Sequence, residues 1–427
     1  MRLPDIADAP LPPGTKGLPL DGSVERLSDL TGWGLNVLNG DLPMPVAVLK
    51  HSAVENNLGV MQAYAARAGV NLAPHAKTTM CPQLFARQLD HGAWGLSVAT
   101  MVQFRLCHEF GVKRLILANQ LVGRAEIEAY ASFCAETPDH DYFVLVDGLD
   151  GARAISEGVG RIAGAPPAKL LIEVGMADGR CGVRTIDEGL ALARRIAALP
   201  GVALHGIEGY EGLIVGGDAD SDARAVSAYL ETVLGLWQKA ADEGLFADSA
   251  AAILSAGGSA YYDLVARLVA HHPEGLVPIL RSGCYVTHDS GFYRRLLARI
   301  AGRDAAGPAP RLMPALEVWT RVISRPQPNQ AIVMMGKRDV SFDIDLPTAR
   351  QWYREGAHNA PQPVSGLTVE KLSDQHGFLA VAEGVDLAVG DLIGFDISHP
   401  CTTFDKWSVL MEVADDYTVV SGLKTFF

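Results

Sequence analysis

What the sequence has little of narrows it first. Six cysteines (Cys81, Cys107, Cys134, Cys181, Cys284 and Cys401) are scattered over 427 residues without a CxxC pair, so neither a disulfide framework nor a zinc finger is suggested. Positive charge is short as well. The 36 Lys and Arg against 49 Asp and Glu leave a formal charge of −13, the wrong sign for a nucleic-acid partner or an anionic membrane. No segment offers about 18 uncharged apolar residues, and the start, MRLPDIADAPLPPG, has no basic stretch followed by an apolar run. A soluble cytoplasmic protein is the expectation. What is present is globular usage, 48% apolar and 20% charged, over a length that suits two or three domains with full cores.

From Val70 to about Gly283 one pattern recurs: a short run rich in Val, Ile, Leu and Ala, a turn, then ten or more residues with helical spacing. Eight mostly apolar runs (70–75, 94–99, 114–119, 142–147, 169–174, 203–208, 252–256 and 276–281) read as parallel strands covered on both faces. Helical stretches such as 54–68, 81–88, 101–110 and 187–198 fall before or between them. The expectation is an α/β fold, a (β/α)8 TIM-type barrel over about 51–300. An open doubly wound sheet is the alternative, although no GxGxxG follows the first strand. After about Gly302 the texture changes, and Pro308, Pro310, Pro326, Pro328 and Pro347 punctuate short β-rich pieces (315–324, 331–335, 391–397, 408–413). A separate, mostly β C-terminal domain over 301–427 is expected, with residues 1–50 crossing over so that the strand-like 45–50 pairs with it.

In such a barrel, functional side chains sit at the C-terminal ends of the strands. Lys77, in Ala73-Pro74-His75-Ala76-Lys77-Thr78-Thr79, is expected to end the first strand, and a lysine in a partly dry pocket can form a Schiff base. A solvated lysine at a strand end has the same spacing. Ser255-Ala256-Gly257-Gly258-Ser259 ends the seventh strand, where the N–H groups of Gly257 and Gly258 with the Ser259 hydroxyl could cradle a phosphate; a plain tight turn is the alternative. Arg281-Ser282-Gly283-Cys284-Tyr285 follows the eighth, and Tyr285 could donate to that phosphate or be buried for its own sake. Arg180, after the fifth strand, and Tyr210, after the sixth, could meet a cofactor ring or merely pack.

Near the end, Ser398-His399-Pro400-Cys401 sets an imidazole and a thiol two residues apart, which on extended backbone turns both to one face. They could share one metal ion, zinc by donor type, with open positions for water or substrate; a buried cysteine beside a surface histidine has the same spacing. Ser373-Asp374-Gln375-His376-Gly377 supplies a further histidine, an acid/base or loop decoration.

Taken in this order, Pro74-His75-Ala76-Lys77-Thr78, Ser255-Ala256-Gly257-Gly258-Ser259, Asp374-Gln375-His376-Gly377 and His399-Pro400-Cys401 resemble the motifs of the D-serine dehydratase and D-threonine aldolase family, pyridoxal-phosphate enzymes with an alanine-racemase-like barrel. The resemblance runs from about Pro45 to Phe427. It implies pyridoxal 5'-phosphate on Lys77 beside His75, phosphate contacts from Gly257, Gly258, Ser259, Gly283 and Tyr285, ring contacts near Arg180 and Tyr210, and a divalent metal, zinc by type, on His399 and Cys401. It also implies a homodimer in which one β domain covers the other subunit's barrel mouth. The family often has Arg before the PH pair and His-Lys after KT; here Ala73 precedes and Thr79-Met80 follow, so an altered substrate end is expected. Three functions follow. A dehydratase would turn a D-β-hydroxy amino acid such as D-serine into a 2-oxo acid and ammonia, and the His-x-Cys pair favours it because the family's aldolases tend to have His-x-Asp. An aldolase would use a base such as His376 and release glycine and an aldehyde. A non-catalytic binding barrel would show decayed cofactor motifs.

Overall fold

The computed structural model describes residues 3–214, 216, 218–270, 273–303 and 308–427. Eight parallel strands form one sheet: β2 (Asn71–Leu72), β3 (Leu96–Val98), β4 (Arg114–Gln120), β5 (Asp141–Val146), β6 (Ala168–Val174), β7 (Val202–Gly209), β8 (Ala252–Ser255) and β9 (Leu276–Leu280). Each pairs with its sequence neighbour from β3 round to β9, and β9 pairs with β2. A parallel bridge between His75 and Ser97 joins β2 to β3 and brings the ring round. This is the barrel, not the open doubly wound sheet. Alternation explains its packing: Ile116, Phe143, Leu145, Leu171, Ile253 and Ile279 fill the interior, while Leu115, Leu117, Val144, Leu170 and Ile172 point outward into the helices.

The first strand is shorter than the apolar run 70–75 suggests. Pro74 has no N–H to give the ladder, so after Leu72 only single bonds persist, Ala73 N–H to Leu280 O (2.8 Å) and Ser97 N–H to Pro74 O (3.0 Å). Lys77 therefore does not end a strand; it lies within a 3-10 turn, Ala76–Thr78, that follows it.

Among the described residues the other sheet has ten strands. Its spine runs through β13 (Gln362–Pro363), β12 (Thr348–Tyr353), β16 (Leu392–Asp396), β10 (Leu316–Gln327), β1 (Val46–Lys50), β17 (Val409–Val413) and β18 (Val419–Lys424). β1 lies antiparallel to β10, with Val46 opposite Trp319 and Leu49 opposite Leu316, and parallel to β17. A hairpin-like lobe of β11 (Gln330–Val333), β14 (Leu367–Leu372) and β15 (Gly377–Val381) extends from β10. The helix Phe292–Ala301 links the two sheets. Among the described residues, no helix is long and apolar enough to cross a membrane.

Candidate active site

Two adjoining cavities of about 250 and 260 Å³ open at the C-terminal ends of the barrel strands, and both are lined by His75, Lys77, Tyr210, Gly258 and Arg281. The turn that carries Lys77 packs tightly on the loop after β9. A Cβ on Gly283 would come 2.6 Å from His75 O and 2.8 Å from Thr78 Oγ1, so only glycine permits this approach.

The first cavity reaches into the barrel. Arg180 lies over the Tyr210 ring, 4.9 Å from its centroid. Arg281, 6% exposed, pairs with Glu208 and donates to Ser255 Oγ (2.5 Å) and Gly209 O (3.0 Å). Burial pushes Glu208 up to about 7, against the pull of Arg281. Glu173 is likewise raised by burial, although Gln120 donates to it at 2.6 Å. Burial, helped by the charge of Lys77, holds His75 well below its ordinary value, so the imidazole is neutral.

The phosphate end differs from expectation. The N–H groups of Gly257 and Gly258 both donate to the Glu211 carboxylate, at 3.0 and 2.7 Å, and Glu211 is fully buried. Those two amides are engaged by the protein itself. Ser259 remains, lining the second cavity together with Gly283 and also sharing a small cleft with Ser282 and Tyr285. The Tyr285 hydroxyl accepts from Gln88 Nε2 at 3.4 Å.

The second cavity reaches His399 and Cys401. The pair does not share an extended backbone: Pro400 precedes a short helix, Cys401–Phe404, that begins at the cysteine, and the turn at Pro400 replaces strand alternation. The two side chains still meet. His399 Nδ1 lies 2.6 Å from Asp343 Oδ2, which leaves Nε2 for a ligand. Burial opposes charge on His399, but Cys401 and Asp343 hold it up to about 9. A hydrogen bond from Cys284, at 3.5 Å between sulfurs, outweighs burial and together with His399 holds Cys401 well below the usual thiol value; Cys284 keeps its proton.

His376 is not brought to this site. It is exposed on the turn between β14 and β15, outside the lining of both cavities, where its carbonyl accepts from Ser373 N–H at 2.8 Å. Thr79 and Met80, expected to shape the substrate end, are 2% exposed and outside both linings; Met80 O accepts from Phe426 N–H instead. Sequence reasoning missed Glu211, Cys284 and Asp343 as working partners. Asp343 carried a signal, since Asp343 and Asp345 alternate in Ser341-Phe342-Asp343-Ile344-Asp345, but its partner is 56 residues away.

The residues fit the groups that the fold implies. His75 Nδ1 and Glu208 Oε2 are buried without hydrogen-bond partners, and both belong to residues that line the first cavity beside the Lys77 amine and the Tyr210 ring. That polar, aromatic-walled space suits a pyridine ring with a phosphate tail. The imidazole with a carboxylate on its other nitrogen, beside a thiolate, suits zinc. Among the described residues no group of three or more His, Cys, Asp or Glu is arranged as a metal site, so His399 and Cys401 would supply two ligands and leave positions open.

The fold and the lysine-centred cavity define an alanine-racemase-like barrel enzyme. Residues 49–269 match the alanine racemase, N-terminal domain family, and the chain belongs to it; residues 315–413 match a putative serine dehydratase domain. The chain is similar to D-threonine aldolase of Arthrobacter sp (26% identity over 374 residues, 87% of this chain and 89% of that one). It is also similar to D-threo-3-hydroxyaspartate dehydratase of Delftia sp. (strain HT23), at 25% over 390 residues, covering 88% and 96%. The structure of D-threonine aldolase from Filomicrobium marinum superposes with a TM-score of 0.75 at 26% identity, covering 92% of this chain and 97% of that one.

Proposed function

We propose that the protein is a pyridoxal-phosphate- and metal-dependent lyase of D-β-hydroxy amino acids, acting as a dehydratase that releases a 2-oxo acid and ammonia. One observation carries this: Lys77, from the barrel, and the His399/Cys401 pair, from the turn after β16, line the same cavity. When bound, pyridoxal phosphate supplies an electron sink for a carbanion at Cα, and a divalent metal supplies a Lewis acid for the β-hydroxyl oxygen. The chain's own residues do the rest. Lys77 holds the cofactor through its amine and removes the Cα proton. His399 and Cys401 hold the metal, with Asp343 fixing the imidazole, so that the β-oxygen leaves on their side. Arg180, His75 and Tyr210 orient the ring, while Ser259, Gly283 and Tyr285 bind the phosphate end.

The dehydratase branch draws support from the His399-x-Cys401 pair on the cavity, since the aldolases that the chain resembles tend to have His-x-Asp. The aldolase remains the rival because the relatives include D-threonine aldolase. The reading includes a cytoplasmic homodimer; exposed Phe342, Ile344 and Leu346 flank Asp343 in the sequence and support a covering partner. The test is a panel of D- and L-β-hydroxy amino acids assayed for ammonia, 2-oxo acid, glycine and aldehyde. We expect D-substrates alone to yield ammonia and 2-oxo acid, and EDTA to abolish turnover while the cofactor absorbance persists. Glycine and aldehyde without ammonia would replace the dehydratase with the aldolase.

A further inference from the structure

Beside the metal pair, the wall of the second cavity is carbon. Phe292, Tyr293 and Leu296 of the helix Phe292–Ala301 line it together with Ala260, His399 and Cys401. The Phe292 and Tyr293 rings meet edge to face at 5.2 Å, and the Tyr293 ring lies 6.4 Å from that of His399.

Cations are close in sequence but turned elsewhere. Arg294 donates to Ser290 O (2.9 Å), Arg295 pairs with Asp345 (2.7 Å) and Arg299 with Asp222 (3.4 Å), and none of the three lines the cavity. The basic groups that do line it, among the described residues, are His75, Lys77, Arg281 and His399. Each has its place: Lys77 is the cofactor amine, Arg281 is tied to Glu208, His399 to Asp343, and His75 lies at the floor shared with the first cavity. Apart from the metal that His399 and Cys401 would hold for the β-hydroxyl, a carboxylate carried on Cβ would thus be pressed against aromatic and aliphatic carbon without a cation of its own, an unfavourable burial. An alkyl or aryl group there would gain contact.

We propose, resting on the lyase reading above, that the substrates carry an alkyl or aryl group on Cβ rather than a carboxylate, and that Phe292, Tyr293 and Leu296 set this specificity. Amino acids without a β-hydroxyl report the subsite free of elimination. Holoprotein loaded with pyridoxal phosphate and zinc is titrated calorimetrically with D-leucine, D-phenylalanine and D-aspartate. D-Leucine or D-phenylalanine is expected to bind about tenfold or more tightly than D-aspartate, and Phe292→Arg or Leu296→Arg, checked for native circular dichroism, should narrow or reverse that ratio. Equal or tighter binding of D-aspartate by the unaltered protein overturns the proposal whatever the variants do. An unchanged ratio in both folded variants overturns the assignment to this helix. Failure of the lyase reading looks different: the apolar preference persists but no β-hydroxy amino acid is turned over, whereas preferred turnover of 3-hydroxy-D-aspartate sinks the subsite and leaves the lyase standing.

Discussion

His288 sits at φ 49°, in the left-handed region that histidine and asparagine enter more readily than most residues, and is 3% exposed. Burial, with a smaller contribution from Arg294, pushes its imidazole down to about 4. The sign follows. Between about pH 6.5 and pH 4 the unfolded chain takes up a proton at this residue and the folded chain does not, so its contribution to stability is lost as pH falls through that window. The loss approaches about 3 kcal/mol. Its neighbour Asp289, raised to about 6 by burial, acts oppositely, so the single substitution and not the whole profile isolates the histidine. His288→Asn, which keeps the left-handed backbone accessible, should flatten the acid-side fall in melting temperature relative to the unaltered protein. Identical pH profiles would mean that His288 is protonated at no cost in the fold.

The Ser255–Ser259 loop was legible as a ligand-approaching turn because two adjacent glycines follow an apolar strand. Its true mooring was not legible. Glu211 follows Tyr210 in a segment that any loop could contain, and only the barrel's curvature brings it to amides 46 and 47 residues on. Gly257 itself is at φ +91°, where a side chain would be strained and would come 2.5 Å from Leu280 Cδ2. Glu211→Ala would leave two buried N–H groups without acceptors, each costing about 1–3 kcal/mol, and should loosen the loop that presents Ser259. Binding of pyridoxal phosphate, followed by absorbance after dialysis, should weaken about tenfold or more, with Glu211→Gln intermediate. An unaltered constant would show that the loop holds its shape without the carboxylate. The first strand shows the complementary limit: hydrophobicity marked it, but Pro74 cut its ladder and moved Lys77 into a turn.

Two sheets joined by a shared hydrophobic core make one site, and sequence order hid how. Lys77 and His399 are far apart in the chain, yet the crossing of β1 into the second sheet and the helix Phe292–Ala301 set the metal pair at the barrel mouth. Barrel strands were legible because parallel strands are apolar throughout. The lysine and the His-x-Cys pair, each commonplace at its spacing alone, stood out only as members of four motifs in the family's order, and the fold brings both to one cavity. Phe292, Tyr293 and Leu296 were not, since an apolar helix face reads as core until a cavity is found beside it. Everything in the account depends on the cavities being built around one amine. Borohydride reduction of the holoprotein, followed by peptide mapping, tests this most directly: the account predicts the reduced cofactor on Lys77, and label on another lysine, or none retained, would contradict it.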